Sequence, residues 1–139
     1  MHPYYLKQIE KFVNQNDRVL DLGCGNGDLL ASLKESHHIK GYGVDFKITS
    51  VLNCLKKGLS IYHGDIEDGI HDYQDKSFDI VILSQTLQQI KNPIELLLET
   101  IRVGKKAIIT FPNFGHWRMR WQLLNGAAPQ SKELPFSWY

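Results

Sequence analysis

The stretch Val19-Leu20-Asp21-Leu22-Gly23-Cys24-Gly25-Asn26-Gly27-Asp28 constrains the fold of this chain more than any other. A short apolar run leads into glycines at positions 23, 25 and 27, and apolar residues at helical spacing follow through Leu29, Leu30 and Leu33. The pattern predicts a strand, a tight turn and a helix. Glycine is needed where the backbone enters positive φ, or where a ligand must lie against the chain with no Cβ between them. The helix that follows aims its free amides at that ligand, so the turn predicts a nucleotide-like site.

Around this turn the elements alternate. Tyr5, Leu6, Ile9, Phe12 and Val13 predict an amphipathic lead helix, and strands are expected over 18–22, 40–45, 59–63, 78–83 and 106–111. The helix after the glycine turn is expected to end near Ser36-His37-His38. The next helix carries Val51, Cys54 and Leu55 on its inner side, with Thr49 or Ser50 as cap and Gly58 closing it in the left-handed conformation. Asn92-Pro93-Ile94-Glu95 opens a further helix, with Asn92 as cap, Glu95 reaching back, and Ile94, Leu97, Leu98 and Ile101 on the inner line. The run Phe78 to Leu83 is nearly all apolar, the mark of a strand buried on both faces. Alternation of this kind implies right-handed crossovers and an α/β, doubly wound, mostly parallel sheet with helices on both faces.

The chain has 139 residues, enough for one domain with its own core, so residues 1–139 are expected to form a single unit. Lys plus Arg number 16 and Asp plus Glu 15, so no global field attracts nucleic acid or an anionic membrane. Cys24 and Cys54 have neither zinc-site spacing nor the density of a secreted framework. No signal peptide or membrane-length apolar run is present, and the expectation is a cytoplasmic protein without a metal site. The ending Pro135-Phe136-Ser137-Trp138-Tyr139 is too aromatic for a solvated tail: either it packs back onto the domain or the chain is C-terminally truncated, and truncation is the expectation.

Acidic residues at the strand ends narrow the ligand. Asp45 follows the glycine turn by about 20 residues, where a carboxylate accepts the ribose hydroxyls of an adenosine group, and Phe46 beside it is counted in the same site. Asp65, just past the third strand, is placed to accept from an adenine amino group while Ile66 packs on the ring. Asp21 argues against a dinucleotide, because an acid at that position repels a pyrophosphate; S-adenosylmethionine carries an ammonium and a sulfonium and no phosphate. No Lys-Ser or Lys-Thr pair follows the glycines, which removes a P-loop.

With Asp45, Asp65 and the Phe78-Asp79 strand at these intervals, Asp21-Leu22-Gly23-Cys24-Gly25-Asn26-Gly27 resembles the class I S-adenosylmethionine-dependent methyltransferases. Leu83-Ser84-Gln85-Thr86-Leu87-Gln88, Phe111-Pro112-Asn113-Phe114-Gly115-His116-Trp117 and Leu134-Pro135-Phe136-Ser137-Trp138-Tyr139 resemble, more narrowly, the MetW-type methionine-biosynthesis proteins. The resemblance implies a Rossmann-like methyltransferase fold lacking its C-terminal strands, with S-adenosylmethionine or S-adenosylhomocysteine as ligand. It also implies a homoserine O-acyltransferase as protein partner. The expected cofactor-binding residues are Asp21, Gly23, Cys24, Gly25, Gly27, Asp45, Phe46, Asp65, Ile66 and Ser84.

No catalytic residue stands out. Ser84 and Gln85 leave the fourth strand toward the ligand edge, but Gln88 and Gln89 cannot act as general base at neutral pH. Cys24 is expected to fill a small space in the turn, and His116 to be a packed histidine. Trp117, Trp121 and Leu124 share a helical line beside Arg118 and Arg120, a composition open both to packing and to a partner surface. Two functions therefore stand: an accessory protein of methionine biosynthesis working with an acyltransferase, and an active small-molecule methyltransferase of unknown acceptor.

Overall fold

The structure, a computed structural model, describes residues 3–87, 90–111, 121, 124 and 125. Among these, five strands form one parallel sheet in the order β3-β2-β1-β4-β5. They are β1 Arg18–Leu22, β2 Lys40–Asp45, β3 Ser60–His63, β4 Phe78–Ser84 and β5 Gly104–Thr110. The helices are α1 Pro3–Glu10, α2 Asp28–His37, α3 Ile48–Lys56, α4 Ile66–Gly69 and α5 Pro93–Val103. The chain reverses direction across the sheet between β1 and β4, and this switch point opens a crevice at the carboxyl ends of the strands.

Period-two alternation divides the core between the two faces of the sheet. On one side Val19, Ile80 and Ile82 pack with Ile9, Leu29, Leu30, Leu33 and Cys54 beneath α1, α2 and α3. On the other Leu20, Leu22, Val81 and Leu83 pack with Ile66, Ile70, Leu96 and Val103 beneath α4 and α5. Strands covered on both faces read as continuous apolar runs, which is why β1 and β4 were legible.

The helix interiors depart from expectation. Phe12 lies exposed beyond the end of α1. In α3 the cap position is Lys47, without a side-chain cap, and Thr49 and Ser50 lie inside the helix. Its buried line is Ser50, Val51 and Cys54, and Leu55 is exposed. Gly58 does close the turn after α3, at φ 65°. In α5 the buried line is Leu96, Thr100 and Val103, leaving Ile94, Leu98 and Ile101 exposed.

The rotation of α5 has identifiable causes. Asn92 makes no side-chain cap; instead its backbone N–H donates to Glu67 Oε1 at 2.9 Å, tying the start of α5 to α4. Near the other end Arg102 forks onto Glu99 and onto Asp75, and also donates to the Tyr73 carbonyl. Thr100 tolerates burial because its hydroxyl donates to the Leu96 carbonyl at 2.7 Å.

Candidate functional site

The turn between β1 and α2 is held onto the end of β2. The N–H groups of Gly23 and Cys24 both donate to the Val44 carbonyl, at 2.9 and 3.1 Å, and Gly25 N–H donates to Asp45 Oδ2 at 2.8 Å. The other oxygen of Asp45 accepts from Lys47 N–H at 2.8 Å, a side-chain turn that leads the chain into α3 in place of the expected cap. One buried carboxylate thus orders both the glycine turn and the entry to the next helix.

Two glycines of the turn serve different ends. A Cβ at Gly23, φ 78°, would stand 2.6 Å from Thr86 Oγ1 and 3.3 Å from Ile66 Cδ1, so the start of α4 and the segment after β4 close directly on the turn. A Cβ at Gly25, φ 53°, would meet nothing within 4 Å. Its backbone therefore borders open space, as a cradle for a ligand requires.

Asp21 lies at the end of β1, beside Gly43 on β2 and Ile82 on β4, and is only 2% exposed. Its Oδ1 has no hydrogen-bond partner. Burial, reinforced by the nearby Asp45 carboxylate, raises its pKa from 3.8 to about 7. A buried acid with an unpartnered oxygen is costly unless a donor or cation completes it.

Beneath the turn the structure adds to the site a residue that the sequence placed only on the inner side of a helix. Cys54, from α3, donates its thiol to the Gly25 carbonyl at 3.2 Å, while Cys24 lies 3.8 Å from the same oxygen. Burial pushes both thiols up in pKa, so they are packing groups and weak donors rather than nucleophiles. This agrees with the space-filling role expected for Cys24. The contact joins residues 25 and 54 and has no local signal.

The remaining site candidates spread around this centre. Phe46 is exposed at the end of β2, with Lys47 Nζ 5.4 Å from its ring centroid and His63 Nε2 3.0 Å from its carbonyl oxygen. Ile66 is buried against the turn, whereas Asp65 is exposed and accepts from Glu67 N–H at 3.0 Å as the cap of α4. Ser84 ends β4, its hydroxyl 3.1 Å from that of Thr110 on β5, and Thr86 Oγ1 donates to the Ser84 carbonyl. Gln85 between them takes φ 56°, a conformation that non-glycine residues adopt sparingly and that clusters at functional edges. Gln88, Gln89, Asn113, His116, Trp117, Arg118 and Arg120 lie outside the described residues; Trp121 and Leu124 are exposed.

A parallel sheet in this order, with a glycine turn after β1 and an acid at the end of β2, defines a Rossmann-like domain of the class I methyltransferase type. Solved structures agree. A SAM-dependent methyltransferase of Thermotoga maritima, described as a possible histamine N-methyltransferase, superposes with a TM-score of 0.70 over 93% of this chain and 64% of its own, at 23% identity. A SAM-dependent methyltransferase of Archaeoglobus fulgidus gives a TM-score of 0.65 over 73% of this chain and 46% of its own, at 24% identity.

The family is narrower than the fold. Residues 4–139 match the model of the methionine biosynthesis protein MetW, and the chain belongs to that family. The bifunctional methionine biosynthesis protein MetXA/MetW of Rhodopirellula baltica is 36% identical over 143 residues, covering 96% of this chain and 23% of that protein. The ubiquinone biosynthesis O-methyltransferase of Hahella chejuensis is 30% identical over 92 residues, covering 63% of this chain and 39% of that protein. The chain therefore spans less than half the length of either relative. Among the described residues, no helix is long and apolar enough to cross a membrane.

Proposed function

We propose that residues 1–139 form one domain that binds S-adenosylmethionine or S-adenosylhomocysteine and serves methionine biosynthesis beside a homoserine O-acyltransferase. The observation that carries the ligand reading is the unpartnered, buried Asp21 oxygen next to a turn whose Gly25 borders open space. An ammonium or sulfonium supplies the positive charge that Asp21 lacks, and a pyrophosphate does not. In this reading Gly23, Cys24, Gly25 and Gly27 form the cradle, and the first amides of α2 receive a carboxylate. Asp45 receives the ribose, Phe46 and Ile66 flank the adenine, Asp65 meets its amino group, and Ser84 borders the methionine part. Bound S-adenosylmethionine would supply an electrophilic methyl group. This chain's own residues hold and orient the ligand.

The partner reading is supported by the Rhodopirellula relative, whose name joins MetXA and MetW in one protein. The Ser84 and Thr110 hydroxyls, side by side at the ends of β4 and β5, favour a second reading in which a small polar methyl acceptor lies there. Calorimetry with S-adenosylhomocysteine on wild type and Asp45→Ala tests the ligand claim: wild type binds, and the variant, having lost the group that orders Gly25 and Lys47, binds at least about tenfold more weakly. Equal binding by both removes Asp45 from the site. No binding by either removes the ligand.

A further inference from the structure

Two helices carry a second apolar line on their outward side, and one of these lines runs into the candidate site. On α3, Ile48, Leu52 and Leu55 follow i, i+4, i+7 spacing and share one face, and each is more than half exposed. Ser50, Val51 and Cys54 bury the adjoining face. Toward the carboxyl edge of the sheet the line is continued in sequence by Phe46, 62% exposed and adjacent to Asp45. Singly scattered apolar side chains are ordinary on a surface, but a row of this kind marks an interaction site.

The charges carried by α3 itself and by its first flanking residue have one sign, while Asp28 pairs with Lys57 just past the helix end. Lys47 stands beside the Phe46 ring, Lys56 is exposed at the end of α3, and no acid occurs in the helix. The corresponding row on α5, Ile94, Leu98 and Ile101, lies over the other face of the sheet and is interleaved with Glu95 and Glu99. Glu99 there is already paired with Arg102, and that row does not adjoin Asp45 in sequence.

We propose that the α3 face, from Phe46 through Ile48 and Leu52 to Leu55, is where the acyltransferase docks, through a patch apolar at its centre and acidic at its rim. The proposal rests on the partner reading above. The relative that joins MetXA and MetW is matched over only 23% of its length, so this domain works there beside a much larger companion in the same chain. The basic rim selects an acidic counterpart. Because the row starts at Phe46, a docked partner covers the open side of the Asp45 end of the site. Ligand occupancy and partner affinity are then coupled, each changing the other by the same factor.

The test uses the full-length protein and the homoserine O-acyltransferase of the same cell, with Leu52→Asp and Leu55→Asp on α3 and Leu98→Asp on α5. All three side chains are exposed, so the variants keep the wild-type melting temperature and S-adenosylhomocysteine affinity measured without the partner. Each α3 variant weakens association with the acyltransferase at least about tenfold, as substitution at an interface centre does, while Leu98→Asp leaves it unchanged. The proposal is overturned if the α3 variants bind as tightly as wild type, or if Leu98→Asp alone abolishes binding. It is equally overturned if the α3 changes merely convert a dimer of this chain to a monomer. No association by wild type would instead defeat the partner reading itself.

Discussion

The buried acid at the end of β1 gives a test whose sign reverses with pH. Asp21→Asn keeps the shape of the side chain and removes its charge. In the wild type, burial and the Asp45 carboxylate raise Asp21 from 3.8 to about 7. The folded protein therefore holds this proton more tightly than the unfolded chain does. Stability is highest below the unfolded value, falls as pH rises from about 4 to about 7, and is flat above. At ~1.36 kcal/mol for each tenfold change in proton affinity, the loss reaches about 4 kcal/mol. Against this, an asparagine amide without an acceptor costs about 1–3 kcal/mol at every pH.

The variant is thus less stable than wild type at pH 4 and more stable at pH 8, by about 1–3 kcal/mol in each direction. Urea denaturation at the two pH values reads the crossing directly, and melting temperatures follow at about 2–4 °C per kcal/mol. Ligand adds a second arm. An ammonium-bearing ligand such as S-adenosylhomocysteine completes the ionised acid, so wild-type affinity rises between pH 6 and pH 8 while that of Asp21→Asn does not. A variant destabilised by the same amount at pH 4 and pH 8 would refute a charge held at a cost in the ligand-free fold.

The two glycines predict opposite phenotypes. Gly25→Ala meets no atom within 4 Å, so it costs about 1 kcal/mol through its positive φ alone, yet it lowers S-adenosylhomocysteine affinity about tenfold or more by placing a methyl in the cradle. Gly23→Ala drives a Cβ to 2.6 Å from Thr86 Oγ1 and loses about 1–3 kcal/mol of stability in urea melts, whether or not ligand is present. Glu67→Ala removes the acceptor of Asn92 N–H and costs about 0.5–1.5 kcal/mol, and Glu67→Gln recovers part of it. Equal stabilities of wild type and Glu67→Ala would remove this contact as the anchor of α5.

How far the sequence could be read depended on where each element's partners lie along the chain. The span of β2 is as expected, and β1 is bounded by a polar turn and the glycines, so local signals sufficed for both. The glycine turn was legible for the same reason: Gly23, Gly25 and Gly27, all at positive φ, announce a tight turn by residue type and spacing. The helix faces were not. Both α3 and α5 hold more apolar residues than one face can bury, so periodicity offers two lines and cannot choose between them. The choice is made by contacts distant in sequence: Glu67 on Asn92, Arg102 on Asp75, and Cys54 on Gly25. Such contacts leave the surplus line facing outward, as Ile48, Leu52 and Leu55 do on α3. An apolar line left outside an otherwise consistent fold marks a place where local pattern and folded state disagree, and functional demands produce that kind of disagreement. The α3 line adjoins in sequence the buried Asp45 carboxylate, which accepts from Gly25 N–H and from Lys47 N–H, so the glycine turn and the start of α3 are tied through one side chain.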